Sequence, residues 1–175
     1  MLRTVLGLIL IGCFLLPSGA QGQAGADHEY DRIASLNPLA LVVLGLVSAE
    51  YEQVLGDNTS WGISAEYFDW RDRTYVSMDG KVRYYVGGRA LDGLSVGAVG
   101  GFTWVGRDDD GEDEASRRSG SAVGLGFIAE NQWLLGTDER LAVTLGVGGK
   151  RLFFLRNVEA QSVLPMVRLS LGWAF

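Results

Sequence analysis

Val163-Leu164-Pro165-Met166-Val167-Arg168-Leu169-Ser170-Leu171-Gly172-Trp173-Ala174-Phe175 closes the chain. In an extended strand successive side chains point to opposite faces. Val167, Leu169, Leu171, Trp173 and Phe175 therefore share one face, and Arg168, Ser170, Gly172 and Ala174 share the other. One face is apolar without interruption; the other is small or charged. Working backward, the same alternation recurs between short polar turns, which is the signature of a β-strand.

Five further segments carry it. Trp61, Ile63, Ala65 and Tyr67 alternate with Gly62, Ser64, Glu66 and Phe68. Val76, Met78, Val82, Tyr84 and Val86 oppose Ser77, Asp79, Lys81, Arg83 and Tyr85. Leu94, Val96, Ala98, Phe102 and Trp104 oppose Ser95, Gly97, Gly101 and Thr103. In Ser121–Leu134, Val123, Leu125, Phe127 and Ala129 oppose Gly124, Gly126, Ile128 and Glu130. Leu141, Val143, Leu145 and Val147 oppose Ala142, Thr144, Gly146, Gly148 and Lys150. Short connections are expected at Leu55–Asn58, Gly87-Gly88 and Gly136–Glu139, and longer ones at Gly106–Gly120 and Phe153–Ser162.

Which face is apolar separates two kinds of barrel. A barrel in water keeps large apolar groups inside. A barrel in a bilayer turns them outward and fills a narrow interior with small and polar groups. Here the non-apolar faces carry Glu50, Glu52, Glu66, Asp79, Lys81, Arg83, Glu130, Lys150 and Arg168. Five carboxylates against four cations can pair inside a barrel, whereas burying them singly would cost several kcal/mol each. The pattern predicts an all-β chain, an eight-stranded antiparallel up-and-down transmembrane β-barrel. Such barrels have an even strand count, so the stretch before Leu55 divides into Ile33–Val43 and Leu46–Val54, with a tight turn at Leu44-Gly45.

Aromatic placement agrees. With the C-terminus on the periplasmic side, Trp61, Tyr84, Trp133 and Trp173 gather at one interface. Tyr67, Tyr75, Trp104 and Trp70 gather at the other, giving two belts of the kind lipid interfaces select. The same orientation puts the three short turns on the periplasmic side.

The N-terminus reads as an address. Arg3 precedes an apolar run, Thr4–Leu16, and Pro17-Ser18-Gly19-Ala20 offers a break and small residues for cleavage. The expected segments are a signal peptide over 1–20 (cleavage as late as 26 is an alternative), a polar lead over 21–32 and the barrel over 33–175. Leu10-Ile11-Gly12-Cys13 offers a second processing route, lipidation at Cys13. Cleavage after Ala20 removes the single cysteine and Arg3, leaving 14 basic against 21 acidic residues, a net charge of −7. That leaves no disulfide framework or thiolate metal site, and no basic patch for nucleic acid. The longest apolar run after the leader, Leu39–Ala49, is too short for a transmembrane helix.

Val167–Phe175 resembles the C-terminal signature of outer-membrane barrels, whose terminal Phe on an alternating strand is read by the barrel-assembly machinery. Asn37-Pro38-Leu39-Ala40-Leu41, through Ala49-Glu50-Tyr51-Glu52 to Trp61-Gly62-Ile63, resembles the opening of a family of small bacterial barrels of unassigned function. The OmpA-like and OmpX-like eight-stranded barrels are broader relatives in architecture. The resemblance implies the cell outer membrane of a Gram-negative bacterium, and partners limited to its lipids, lipopolysaccharide and the assembly machinery. Pro38 and the short first hairpin depart from an ideal barrel strand.

Chemistry is sparse. A lipid-modifying barrel enzyme would be expected to use a His near a Ser with an acidic orienter, but the single His, His28, lies in the polar lead. Asp108-Asp109-Asp110-Gly111-Glu112-Asp113-Glu114 offers clustered carboxylates for calcium or magnesium. Its spacing fails an EF-hand, because Gly106 stands where a liganding Asp belongs, and it reads as a solvated outer loop flanked by Arg117 and Arg118. The interior charges read as a plug, with an ion pathway as the alternative. Asn58-Thr59-Ser60 matches a glycosylation sequon and reads as turn chemistry. The sequence assigns no catalytic, cofactor-binding or metal residue. The expectation is a non-enzymatic, monomeric outer-membrane barrel with a structural or surface-interaction role. The alternatives are a narrow transport or ligand-binding barrel and, third, a lipid-modifying enzyme.

Overall fold

A computed structural model describes residues 30–70, 73–107, 120–154 and 163–175. The leader with Cys13, His28 and the acidic run 108–114 lie outside the described residues.

Alternation closes the chain on itself. Eight strands form one antiparallel barrel in sequence order: β1 (Arg32–Leu36), β2 (Val47–Gly56), β3 (Thr59–Trp70), β4 (Arg73–Tyr85), β5 (Gly93–Arg107), β6 (Gly120–Leu135), β7 (Leu141–Phe154) and β8 (Val163–Ala174). A short helix, α1 (Pro38–Leu44), joins β1 to β2. Closure pairs Ile33–Leu36 of β1 with Ala174–Leu171 of β8. Closing a sheet satisfies every lateral hydrogen bond and removes the exposed edge that an open sheet would carry.

The first hairpin differs from the expected pair of long strands with a turn at Leu44-Gly45. β1 stops at Leu36, and residues 38–44 are helical. Local chemistry explains this. The Asn37 side chain accepts a hydrogen bond from the Ala40 N–H at 2.9 Å, and Pro38 opens the helix where no N–H is needed. Gly45, at φ 69°, ends it in the left-handed conformation, donating its N–H to the Leu41 carbonyl at 3.0 Å. The cap signals Asn-Pro and Gly were present in the sequence; the parity argument was right about strand number and wrong about strand length.

The truncation of β1 leaves its mark on β8. No described strand pairs with the β1 side of residues 163–170, and α1 packs against β8. The Phe175 N–H donates to the Arg32 carbonyl, toward β1, and alternate residues of an antiparallel strand point the same way. Pro165 therefore places its missing N–H on the side that has no strand partner, the position where a strand tolerates proline.

The faces fall as the alternation requires. Large apolar side chains lie exposed on the outside, among them Ile63, Met78, Val82, Val96, Phe102, Leu125, Phe127 and Val167. Buried positions hold charged and polar groups: Glu50, Glu52, Asp79, Lys81, Arg83, Glu130 and Lys150 are all less than 9% exposed. This barrel is inside-out relative to one folded in water. The three short turns and Phe175 share one end. Trp61, Tyr84, Trp133 and Trp173 are outward there, and Tyr67 and Trp104 are outward near the opposite end. Tyr75 falls instead on the inward parity, opposite Phe68, so it leaves the outer belt. The Trp70 side chain lies outside the described set.

Candidate functional site: the packed interior

Strand register decides which inward side chains meet. Glycine and serine stand beside the largest inward groups. Glu130 faces Gly146 on β7, and Gly146 faces Arg168 on β8. Asp79 faces Gly101, and Lys150 faces Gly126. A Cβ on Gly146 would lie 2.5 Å from Glu130 Cγ, and one on Gly101 would lie 2.1 Å from an Asp79 carboxylate oxygen. The missing side chains are the space that the charged ones occupy.

At mid-height lies a cluster of three carboxylates and three cations. Arg83 pairs with Glu50, with Glu52 at 2.6 Å and with Glu130. Arg168 reaches Glu50 at 2.6 Å and Glu130 at 3.1 Å, and Lys81 pairs with Glu50. The cluster is neutral in sum, and each carboxylate touches a guanidinium. Paired charges of this kind offset the desolvation that would otherwise expel them.

Toward the end away from Phe175, the Lys150 ammonium donates to both Asp79 carboxylate oxygens, at 2.8 and 2.9 Å, and to the hydroxyls of Ser77 at 3.2 Å and Thr103 at 3.3 Å. This pair is also neutral. Glu66, the fifth carboxylate, is half-buried on the same inward face and joins none of these ion pairs among the described residues.

Toward Phe175 the packing becomes apolar. Glu52 accepts from the hydroxyls of Ser60 and, at 2.7 Å, Tyr85. Gln132 donates to the Leu91 carbonyl at 2.8 Å and accepts from Thr144 at 2.7 Å. Beneath them Ile33, Leu91, Ala142 and Ala174 form a buried cluster, with Tyr30, Val54 and Leu134 packed against it. Leu91 and Ala90 are fully buried although they lie in the β4–β5 connection. That connection is more than the tight turn expected at Gly87-Gly88. Within residues 86–92, Ala90 and Leu91 fold back into the barrel mouth, and the Ala90 N–H donates to the Asp57 carbonyl at 2.7 Å. Leu91 sits at φ 68°, a strained conformation for a branched residue, with left-handed glycines at 88 and 93 around it. Arg89 pins the segment through Glu139 at 2.8 Å.

All nine charged residues assigned to the interior by alternation face inward. Alternation could not say which pairs they form, and it missed the plug formed by Ala90 and Leu91. Gly87-Gly88 and Gly93 were the available signal. Among the described residues no group of three His, Cys, Asp or Glu side chains is arranged to hold a metal, and no helix is long and apolar enough to cross a membrane.

Fold and interior together define a closed, inside-out eight-stranded barrel, the architecture of the OmpA-like and OmpX-like barrels. No family model matches the chain, and no curated protein matches it. Among solved structures it is similar to the N-terminal β-barrel domain of Pseudomonas aeruginosa OprF, at 14% identity and a TM-score of 0.49, over 82% of this chain and 96% of that one.

Proposed function

We propose that this chain is a non-enzymatic barrel of the bacterial outer membrane with a structural or surface-interaction role, and that its interior conducts no ions. The observation that carries the reading is the pairing of an apolar exterior with an interior filled at three levels. Eight strands enclose an interior only about as wide as side chains can fill. Here ion pairs and an apolar plug occupy it. An exterior of this character is unfavourable in water and favourable in hydrocarbon. The C-terminal strand, ending in outward Trp173 and Phe175, supplies the motif for the barrel-assembly machinery. The outer connections, chiefly 106–120, supply the surface for lipopolysaccharide.

Two experiments test this. Cell fractionation with unheated and heated gel samples should give an outer-membrane protein whose mobility shifts on heating; a periplasmic protein without a shift would refute the location. In planar bilayers the purified barrel should give no stable conductance, and steady single-channel steps would refute the closed interior.

A further inference from the structure

The outside of the barrel is not uniform. At the β1–β8 closure a groove of about 620 Å³ crosses the outward face, lined by Ala34, Leu36, Ala49, Ala65, Leu171 and Trp173, among others. Its floor follows from register. Ala49 stands beside Leu36 on one side and Ala65 on the other, and Ala34 stands between Tyr51 and Trp173. Three small side chains meet there, ringed by Leu36, Tyr51, Met78 and Trp173.

Just below the groove the outward face turns polar. Arg32 lies on the same outward face as Ala34 and Leu36, two and four residues away, so it sits about 13 Å from Leu36 along the strand. Its side chain is 46% exposed, and its described partner is Asp31, at 3.5 Å from Nε. Gln53 is opposite Arg32 and accepts from the Tyr51 hydroxyl at 3.3 Å. Trp61, packed edge-to-face against Tyr51 with ring centroids 6.1 Å apart, and Trp173 mark this level as the aromatic belt. A cation at belt depth beneath an apolar furrow matches one kind of occupant: a phosphate with a hydrocarbon chain attached. A second barrel would present a convex wall, which does not enter a concave furrow.

We propose that this groove is a site for one phospholipid of the periplasmic leaflet, with an acyl chain along Ala34, Ala49 and Ala65 and its phosphate at Arg32. The site rests on the membrane reading above. It also accounts for where the furrow lies. β1 is the shortest strand and β8 has no described strand on its β1 side above Leu171, so an ordered chain covers the wall next to its thinnest point.

The test uses the full chain folded into vesicles of phosphatidylethanolamine and phosphatidylglycerol, extracted into mild detergent and weighed by native mass spectrometry. One phospholipid per barrel should be retained. The double substitution A49L/A65L, which fills the furrow, should reduce retention at least about ten-fold. R32Q leaves the wall intact and should reduce it about five-fold, the worth of one basic residue near a lipid surface. A98L, on the outward face of β5, should change nothing. Undiminished retention in A49L/A65L or R32Q, or equal loss in A98L, overturns the site. So does a change in the monomer–dimer ratio in place of lipid loss, which would make the occupant a second copy. Diacylglycerol retained as well as phospholipid would remove the role of Arg32. A barrel that folds, shifts on heating and carries no lipid refutes the site alone; a chain that gives no heat-shifted barrel in vesicles refutes the membrane reading and the site with it.

Discussion

The wall formed by β5, β6 and β7 and the closure between β8 and β1 use the same alternation to different ends. β5, β6 and β7 run 15, 16 and 14 residues and pair along nearly their whole lengths. β1 runs 5 residues and meets β8 through four pairs. In the long wall nearly every backbone group lies in a ladder, and the interior beside it holds Glu130 and Lys150 within ion pairs. At the closure the ladder ends at Leu36, a capped helix takes over, and Arg168 reaches from β8 across to Glu50 on β2. Where backbone pairing is short, side-chain pairing ties the two ends of the sheet together. The difference teaches that a barrel closes by whatever bonds are available, and that here much of the tie is ionic.

The sharpest way to break this picture is to unbalance the charge cluster that holds the Arg168–Glu50 tie. Replacing Arg83 with Met leaves Glu50, Glu52 and Glu130 facing one another with less counter-charge. Loss of one partner from a buried pair costs about 3–5 kcal/mol, and Arg83 serves three. Urea unfolding of the barrel in lipid vesicles should show a loss at the upper end of that range or a failure to fold. A loss below about 1 kcal/mol would mean the cluster is hydrated and not a structural tie.

Proline placement separates wall from closure directly. Leu145→Pro in β7 removes a hydrogen bond from a ladder flanked on both sides and should cost several kcal/mol, because the partner group is left unsatisfied within the hydrocarbon. Leu169→Pro in β8 places the missing N–H on the side that has no described strand partner, as Pro165 already does, and should cost clearly less. Equal losses in heat-modifiability assays would show that the upper edge of β8 is paired after all.

The plug gives an effect of middle size. Leu91→Ala empties a fully buried site at the barrel mouth and should cost about 2–5 kcal/mol, since the left-handed strain at residue 91 eases only slightly with Ala and offsets little of the loss. The mouth should then admit small solutes as far as the Gln132–Tyr85 layer and no farther, since Arg83 and its partners still fill the section above. Steady conductance in this variant would show that the plug alone closes the barrel.

The smallest effect concerns Asp92 in the same connection. Burial raises its carboxyl above the usual value, with Arg89 opposing the shift. Its folded form therefore favours the proton. The associated stability is present below the ordinary aspartate range and is lost as pH rises through the raised value. Asp92→Asn should remove that dependence and leave unfolding above this range slightly harder than in the parent. An unchanged pH profile in the same urea assay would show that Asp92 titrates as an ordinary surface group.

How much of this was legible beforehand depends on the range of the interactions involved. Strand identity, face assignment and the inward charges were readable because period-two alternation is local: each residue's face follows from its neighbours. Arg83 and Glu130 could be placed on the inner face without knowing anything distant. Their partnership could not. It depends on register across β4, β5 and β6 and on the stagger of the closed sheet, which bring together residues 47 positions apart. The helix at 38–44 was legible in part through Asn37, Pro38 and Gly45, but strand parity masked it. The Leu91 plug was hardest to see, since an apolar pair inside a polar, glycine-flanked connection resembles an ordinary turn until the mouth it fills exists.

The sequence by itself determined an eight-stranded chain with an apolar face to one side and paired-charge chemistry on the other, because alternation is written residue by residue. Only the tertiary structure decided which charges meet, that β1 is cut short, that the β4–β5 connection folds inward and that a furrow runs down the closure. Each of these follows from how far the strands slide past one another when the sheet closes, a displacement no single strand encodes.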